Sequence, residues 1–210
     1  MRPLFILGAG GQARDVAEIA DALGYRPIFV TRDASVIAGW MSDDEIVLES
    51  EALSQTEDFA IGIGDNRVRA DVATRLRGTR RFPALLHPDT SFGRGQRERA
   101  AASEGTLVFA GVRVTANVSI GSFCSINVNA TLSHDVELGN FVSISPGANI
   151  AGNVRVGEGA LVGVGAAVNQ GDDSRKLEIG AWTVVGSGAV VTRDCAPNSI
   201  YVGVPARKIH

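Results

Sequence analysis

Cysteine and net positive charge are both scarce in this chain, and each shortage excludes a class of protein. Its 210 residues include two cysteines and carry a formal net charge of −3. Cys124 and Cys195 belong to no CxxC motif or Cys/His cluster, so neither a disulfide framework nor a zinc site is supported. Binding to phosphate backbones needs a basic stripe, which this sequence lacks, so nucleic acid is not an expected partner. A reducing cytoplasm is the expected compartment.

Long apolar runs are also missing. The opening segment MRPLFILGAGG is broken by glycines too early to form the core of a signal peptide. No uncharged apolar run is long enough to span a bilayer, so we expect no membrane insertion. Proline is low at seven residues, whereas the 25 glycines crowd among aliphatic residues after position 105. A segment that is both glycine-rich and apolar indicates a repeat rather than a disordered tail.

The first part of the chain predicts a small α/β unit. The apolar run PLFILG stops at a glycine, and QARDVAEIADALG then places its apolar residues on one helical stripe. RPIFVTRD and FAIGIGDN are further strand-like runs, and the helical RVRADVATRLRG follows the last of them. This alternation indicates a parallel sheet whose ligands bind beyond the carboxyl ends of the strands. We therefore predict a Rossmann-like domain over residues 1–88.

Three turns at that edge supply candidate substrate contacts. They contribute Gly10, Gly11, Gln12, Asp33, Gly64 and Asn66. The glycine turn GAGGQA lets backbone N–H groups approach a phosphate at a helix N-terminus, although a tight strand-to-helix turn would look the same. Asp33 follows the second strand at about the distance expected of a ribose-binding acid. The short span favours a nucleotide-linked ligand over a dinucleotide.

The second part of the chain has a period of six residues. Aliphatic residues occupy every sixth position from Val108 to Val168, and the positions two residues earlier are nearly all small or aliphatic. A hexapeptide period is typical of a parallel β-helix, in which three hexads close one triangular coil. The period breaks at NQGDDSRKLE (169–178), which we expect to protrude as a charged loop, and it resumes at Ile179. We predict that this all-β domain covers 89–210.

Together these segments resemble a known family, the left-handed β-helix sugar acyltransferases of the sialic acid O-acetyltransferase and UDP-4-amino-sugar N-acetyltransferase type. The resemblance extends over essentially the full length, through FILGAGGQARDVAEIA, IGIGDNRVR, LLHPD, the hexads with SHD, and YVGVPARKI. It implies a Rossmann-like sugar-nucleotide-binding domain followed by a left-handed parallel β-helix. It also implies transfer of an acetyl group from acetyl-CoA to a nucleotide-linked amino sugar in bacterial surface glycan biosynthesis.

The hexad register makes His134 a candidate base. Leu132 and Val136 point inward, so Ser133, His134 and Asp135 form a corner from which the imidazole projects outward. Imidazole titrates near working pH and can take the proton of an acceptor, and a neighbouring carboxylate can fix its tautomer. By spacing alone, a solvated His–Asp corner is the favoured explanation of the pair. The resemblance is what assigns His134 as the base and Asp135 as the group that orients it.

Further site residues follow only from the resemblance. Asn127 matches an active-site asparagine, and Gly152 matches a glycine whose backbone N–H contacts the thioester end of the donor. The other residues implied to contact the coenzyme are Ser143, Gly165, Gly188, Gly203, Pro205 and Arg207. No metal ion is implied. Gln12 and Ser143 stand where relatives carry histidines, so the resemblance does not define the sugar.

Two other activities remain open at this point. One is O-acetylation of sialic acid or a related sugar, in which the same base would activate a hydroxyl group. The other is a non-catalytic scaffold that binds a sugar nucleotide. Because the outward row of the hexads is mostly small or polar and relatives are trimers, we expect a homotrimer with the donor between neighbouring β-helices. His87 is expected to serve the domain junction.

Overall fold

The computed structural model describes residues 1–40, 43–172 and 174–209. In this part of the chain the N-terminal domain is a parallel sheet of four strands in the order β3-β2-β1-β4. The strands are β1 (Arg2–Leu7), β2 (Tyr25–Thr31), β3 (Glu45–Leu48) and β4 (Asp58–Ile61). The helices are α1 (Gly11–Ala22), α2 (Ala34–Ala38), α3 (Glu49–Ala52) and α4 (Asn66–Leu76). The predicted parallel sheet is confirmed, although the sequence analysis missed β3, a short and only partly buried edge strand.

A left-handed β-helix follows, and its strands form three faces. The first face contains β5 (Leu85–Leu86), β7 (Leu107–Val108), β10 (Ser125–Ile126), β13 (Ser143–Ile144), β16 (Leu161–Val162), β19 (Val184–Val185), β21 (Ile200–Val202) and β22 (Arg207–Lys208). The second contains β6 (Ser91–Phe92), β8 (Arg113–Val114), β11 (Thr131–Leu132), β14 (Asn149–Ile150), β17 (Ala167–Val168) and β20 (Val190–Val191). The third contains β9 (Ser119–Ile120), β12 (Glu137–Leu138), β15 (Val154–Val156) and β18 (Leu177–Ile179). Helix α5 (Gln96–Ala101) lies between β6 and β7.

The core of the β-helix follows the hexad register. Paired residues such as Thr131 and Asn149 are parallel neighbours 18 residues apart, which is one coil of three hexads. The aliphatic positions predicted to face inward are buried, except that Ile120 is only partly buried. Burial raises the pKa of the Cys124 thiol to about 12, so this cysteine is a core residue and not a nucleophile. Period and pleat alone therefore account for the interior of this domain.

The N-terminal domain packs on the first face of the β-helix. Leu107 and Phe109 belong to the same apolar cluster as Leu4 and Ile6 of the sheet. A chain of neighbouring aromatic rings crosses the junction, with centroids 5.3–6.3 Å apart: Phe5, Phe59, Phe82, Phe123 and Phe141. The outward row of the hexads is therefore covered by the N-terminal domain on this face.

Strand β5 bears on the boundary between the two domains. Strand β5 already pairs with β7, so the first face of the β-helix includes Leu85–Leu86. The division between 1–88 and 89–210 stays a prediction, as does the projection of the 169–178 loop. His210 lies outside the described residues.

Within the described ranges, none of the helices has the length and apolar character needed to cross a bilayer.

Candidate active site

His134 lies at the corner between β11 and β12, with its side chain 61% exposed. Its Nδ1 is 2.9 Å from Asp135 Oδ2. Asp135 has a φ of 60°, in the left-handed region that Asp and Asn tolerate better than most residues. An ionised carboxylate can only accept a hydrogen bond, so Nδ1 must be the donor and must carry the proton. The lone pair of a neutral ring is then on Nε2. The corner therefore presents an imidazole of fixed orientation.

Asp135 is held on several sides. Asn117 Nδ2 donates to Asp135 Oδ1 at 2.7 Å, and Lys176 Nζ donates to the Asp135 backbone carbonyl at 2.5 Å. The hydrogen bonds from Asn117 and from His134 hold the pKa of Asp135 below its usual range. The carboxylate thus stays charged at neutral pH, as a group that stabilises an imidazolium must.

Gly152 lies against the imidazole ring. It occupies the matching corner position in the next coil, and a Cβ built on it would lie 2.3 Å from both Cε1 and Nε2 of His134. Only glycine fits under the ring at this distance. Among the described residues, no backbone acceptor is bonded to the Gly152 N–H, whereas Asn153 N donates to His134 O at 2.9 Å. Gly152 therefore makes room for the base and has an available donor.

The glycine turn of the N-terminal domain reaches the β-helix through polar side chains. Gln12 Nε2 lies 3.4 Å from Ser125 Oγ, and Asn127 Nδ2 lies 3.5 Å from the same oxygen. Asn127 Nδ2 also donates to Ile144 O at 3.0 Å. Gly64 is beside this group, with Gln12 Oε1 3.9 Å from the position of a Cβ on it. The structure therefore brings together three of the predicted site residues: Gln12 and Gly64 from the N-terminal domain, and Asn127 from the β-helix.

The carboxyl edge of the parallel sheet is open. A cavity of about 250 Å³ lies there, and Gly8, Ala9, Asp33 and Ile63 are among its lining residues. Asp33 caps α2 by accepting from Ser35 N at 2.8 Å, and the hydrogen bonds from Ser35 lower the pKa of Asp33.

The N-terminus of α1 lies at the same edge. Gly10 is the N-cap of α1 without a side-chain cap, and Gly11 is the first residue of the helix. A Cβ on Gly10 would meet nothing within 4 Å. The first N–H groups of α1 therefore have no side-chain cap and border open space.

Asn66 and Ser143 are not brought to an open surface. They are 7% and 5% exposed, and Ser143 Oγ donates to Asn66 Oδ1 at 2.6 Å. Asn66 Nδ2 donates to the carbonyls of Gly159 and Ala160, so both ends of its amide are used inside the protein. Ser143 and Ser125 belong to the outward row of the hexads, and both are buried because the N-terminal domain covers this face; Ser125 is 3% exposed. The side-chain polar atoms of Asn66 and Ser143 are therefore all bonded within this protomer, so they do not support the predicted ligand contacts.

Arg69 of α4 is the centre of this junction, and the sequence analysis missed it. Burial lowers its pKa to about 10, so it stays charged at neutral pH. Its guanidinium donates at 2.8–3.1 Å to Ile63 O, Gly64 O, Asn66 Oδ1, Phe123 O, Phe141 O and Ser143 Oγ. The missed signal was its place on the apolar stripe of α4 with Ala73 and Leu76. Arg69 therefore ties the Gly64 turn to two coils of the β-helix.

Apart from Gly152 and Ser143, the residues expected to contact the coenzyme lie at another vertex. Gly165 and Gly188 occupy left-handed corner positions between the first and second faces, with φ of 63° and 66° and open space where a Cβ would be. Gly203 and Pro205 form the turn before β22, and Arg207 is exposed on that strand. His134 lies between the second and third faces. One protomer therefore does not bring these residues to the imidazole.

The described residues contain no group of three or more His, Cys, Asp or Glu side chains that could hold a metal ion.

A left-handed β-helix with an outward His–Asp pair, preceded by a Rossmann-like domain, defines an acyltransferase of the β-helical class. Residues 3–76 match the family model of the PglD N-terminal domain. No curated protein matches the chain in a sequence search.

Solved structures match over the whole length. The acetyltransferase domain of PglB from Neisseria gonorrhoeae in complex with acetyl coenzyme A is 29% identical, with 99% of each chain covered and a TM-score of 0.86. PerB from Caulobacter crescentus in complex with CoA and GDP-perosamine is 31% identical, with 100% of this chain and 98% of that chain covered and a TM-score of 0.85. A mutant of perosamine N-acetyltransferase from the same organism is 30% identical over the same shares, with a TM-score of 0.83.

The chain belongs to the hexapeptide-repeat sugar acyltransferase family, and it is an acetyl-CoA-dependent acetyltransferase. The predicted family, fold class, enzyme class and co-substrate are confirmed. The roles of the individual site residues stay predictions.

Proposed function

We propose that this protein transfers the acetyl group of acetyl-CoA to the amino group of a nucleotide-linked amino sugar, in the cytoplasm, as a step in bacterial surface glycan biosynthesis. The observation that carries the proposal is the His134–Asp135 pair, which is exposed and stacked over Gly152. Complexes of similar proteins with acetyl coenzyme A, and with CoA and GDP-perosamine, support both substrates.

The chemistry assigned to this corner is general base catalysis. The thioester of acetyl-CoA supplies the carbonyl carbon, so a C–N bond forms, the C–S bond breaks and the CoA thiol leaves. His134 Nε2 takes the proton that the amine loses and returns it to the leaving sulfur, while Asp135 stabilises the imidazolium. We assign to the Gly152 N–H the stabilisation of the developing oxyanion, because this donor has no backbone partner among the described residues.

In this proposal the acceptor is held beside the side chains of Gln12, Ser125 and Asn127. Because Asn127 Nδ2 donates to Ile144 O, its Oδ1 remains the atom that can accept from the amine or a sugar hydroxyl. The open N-terminus of α1 and Asp33 suit the phosphates and the ribose of the nucleotide. The sugar would then extend from the glycine turn towards Asn127.

The donor fits the second face. A groove of about 640 Å³ runs along it, and Thr131, Ser133, Asn149 and Ala151 are among its lining residues. Small neutral side chains next to the His134 corner suit a pantetheine arm. Arg207 supplies a cation for the coenzyme phosphates.

The packing of the three faces supports a homotrimer. The first face is covered by the N-terminal domain, and the third carries an exposed ladder in which Arg155 pairs with Glu137 and Glu178 at 2.8 Å. The second face remains, flanked at its vertex by Val128 and Val164, which are 41% and 52% exposed. Asn127 shares that vertex, whereas His134 lies at the other end of β11. A neighbouring copy on the second face could bring its Asn127 vertex to the His134 corner.

Light scattering is expected to give three times the chain mass of 21.9 kDa. Val164→Glu should shift the protein to monomer and lower the rate of thiol release, because the charge would be buried between copies. Leu23→Glu, on an equally apolar but distant exposed position, should leave the trimer intact. A monomeric, fully active wild-type protein would contradict the proposal.

Thiol release with separate acceptors tests the activity itself. We expect release and an amide product with UDP- or GDP-linked 4-amino sugars, and no release with their 4-hydroxy counterparts, because the site activates an amine. Release with free sialic acid and an ester product would support the O-acetyltransferase alternative. A trimer that binds sugar nucleotide but releases thiol with no acceptor would support the scaffold.

A further inference from the structure

Asn117 is linked to the His134–Asp135 corner from the preceding coil. It lies 18 residues before Asp135, in a corner with a φ of 54°, and its Nδ2 donates to Asp135 Oδ1 at 2.7 Å. Arg99 of α5 donates to Asn117 Oδ1 at 3.4 Å, which leaves Nδ2 as the end of the amide that faces the carboxylate. A backbone bond of 3.0 Å from Asp135 N to Ala116 O joins the same two corners.

This contact fixes the orientation of the carboxylate plane relative to the imidazole. With Oδ1 held by Asn117, Oδ2 remains for His134 Nδ1, and the carboxylate cannot rotate about its χ2 without losing a charge-assisted hydrogen bond. Free imidazole rings that lack such a partner sample both tautomers. We infer that Asn117 is a positioning residue, which acts through Asp135 to keep the proton on His134 Nδ1 and the lone pair on Nε2.

The remaining groups around the pair come from other elements. Lys176, which precedes β18, bonds the Asp135 carbonyl and lies 3.4 Å from Glu137 of β12, and Arg155 of β15 pairs with Glu137. Lys176 and Arg155 donate no hydrogen bond to the Asp135 carboxylate oxygens, so Asn117 has a role that they do not duplicate. The inference rests on the proposed function for its effect on rate, but not for its effect on the tautomer.

Asn117→Gly is the informative variant, because glycine accepts a positive φ and the change removes only the amide. We expect kcat to fall about 10- to 100-fold, the size of a lost hydrogen bond to a charged group. KM for acetyl-CoA and for the acceptor should stay within about twofold, because Asn117 touches neither. Asn198→Gly is the matched control, since Asn198 also has a positive φ of 52° and lies in an exposed corner. It should keep the wild-type rate.

Asn117→Asp separates the donor from mere shape. It keeps the size and the tolerance for a left-handed backbone but replaces the N–H donor by a second carboxylate. The same loss of kcat is expected, and a wild-type rate would overturn the inference.

Nitrogen chemical shifts of the imidazoles test the positioning without substrate. In the wild type, neutral His134 should be the Nδ1–H tautomer, and in Asn117→Gly it should become a mixture, while His87 stays unchanged as the internal reference. An unchanged His134 tautomer would overturn the inference even if the enzyme is active. A changed tautomer in a protein that acetylates no amino sugar would instead contradict the proposed function alone.

Discussion

Replacing His134 by Ala is expected to lower the turnover number by about 10²- to 10⁴-fold, the usual contribution of a general base. The side chain is 61% exposed, so its removal leaves no core cavity and the unfolding temperature should not change. Binding of acetyl-CoA should persist, because Gly152 is unchanged in this variant and the other implied coenzyme contacts lie away from the imidazole. Single-turnover thiol release, with binding measured separately by calorimetry, checks the prediction.

His87→Ala is the control for loss of an imidazole. His87 Nδ1 accepts from Asp89 N at 3.0 Å in the LLHPD turn, away from the corner of His134. This variant should keep its rate. If His134→Ala and His87→Ala both turn over like the wild type, His134 is not the base.

Gly152→Ala tests the role of His134 in a second way, because it displaces the imidazole instead of removing it. A Cβ at Gly152 would lie 2.3 Å from two ring atoms, so the ring must swing off its position over the corner. We expect a loss of kcat approaching that of His134→Ala. The double variant should be no slower than His134→Ala, since residues that act as one unit are not additive.

Replacing Arg69 by Met is expected to lower the free energy of unfolding by about 3–5 kcal/mol, because several buried oxygens lose their donor and each buried unsatisfied group costs about 1–3 kcal/mol. The change leaves the carbonyls of Phe123 and Phe141 without the donor that bonds them here. Urea unfolding followed by fluorescence or circular dichroism measures the difference, with an unchanged m value as the check on two-state behaviour.

Arg67→Met is the matched control on the same helix. Arg67 is exposed and lies 4.6 Å from the centre of the Trp182 ring, a contact worth about 0.5–1 kcal/mol at the surface. Arg69→Lys should fall between the two, because an ammonium cannot reproduce the fork of donors. Equal stability of Arg67→Met and Arg69→Met would show that the junction does not depend on this guanidinium.

Much of the β-helix could be predicted because its period is local. The row from Val108 to Val168 faces inward wherever strand and corner alternate every six residues, so the outward position of His134 follows from counting. The same count of 18 residues per coil would have paired Asn117 with Asp135, a signal present in the sequence and not used.

The N-terminal domain was less predictable. Strand β3 (Glu45–Leu48) is short and lies at an edge, so it lacks the buried apolar run that indicated the other strands. Asn66 looked like a ligand contact because it follows a strand, yet its amide is used at the junction. Local patterns identify a turn, but they do not tell which side of it meets another domain.

The sequence by itself determined the hexad register, the α/β character of the first domain and the exposure of the His134 corner, because each depends on neighbours a few residues or one coil away. Only the tertiary structure decided that the first face is covered, and that Gln12 meets Ser125 across 113 residues of chain. Such contacts depend on how the two domains dock, and the six-residue period of the sequence does not determine that docking. The burial of Ser143 and the network of Arg69 have the same origin.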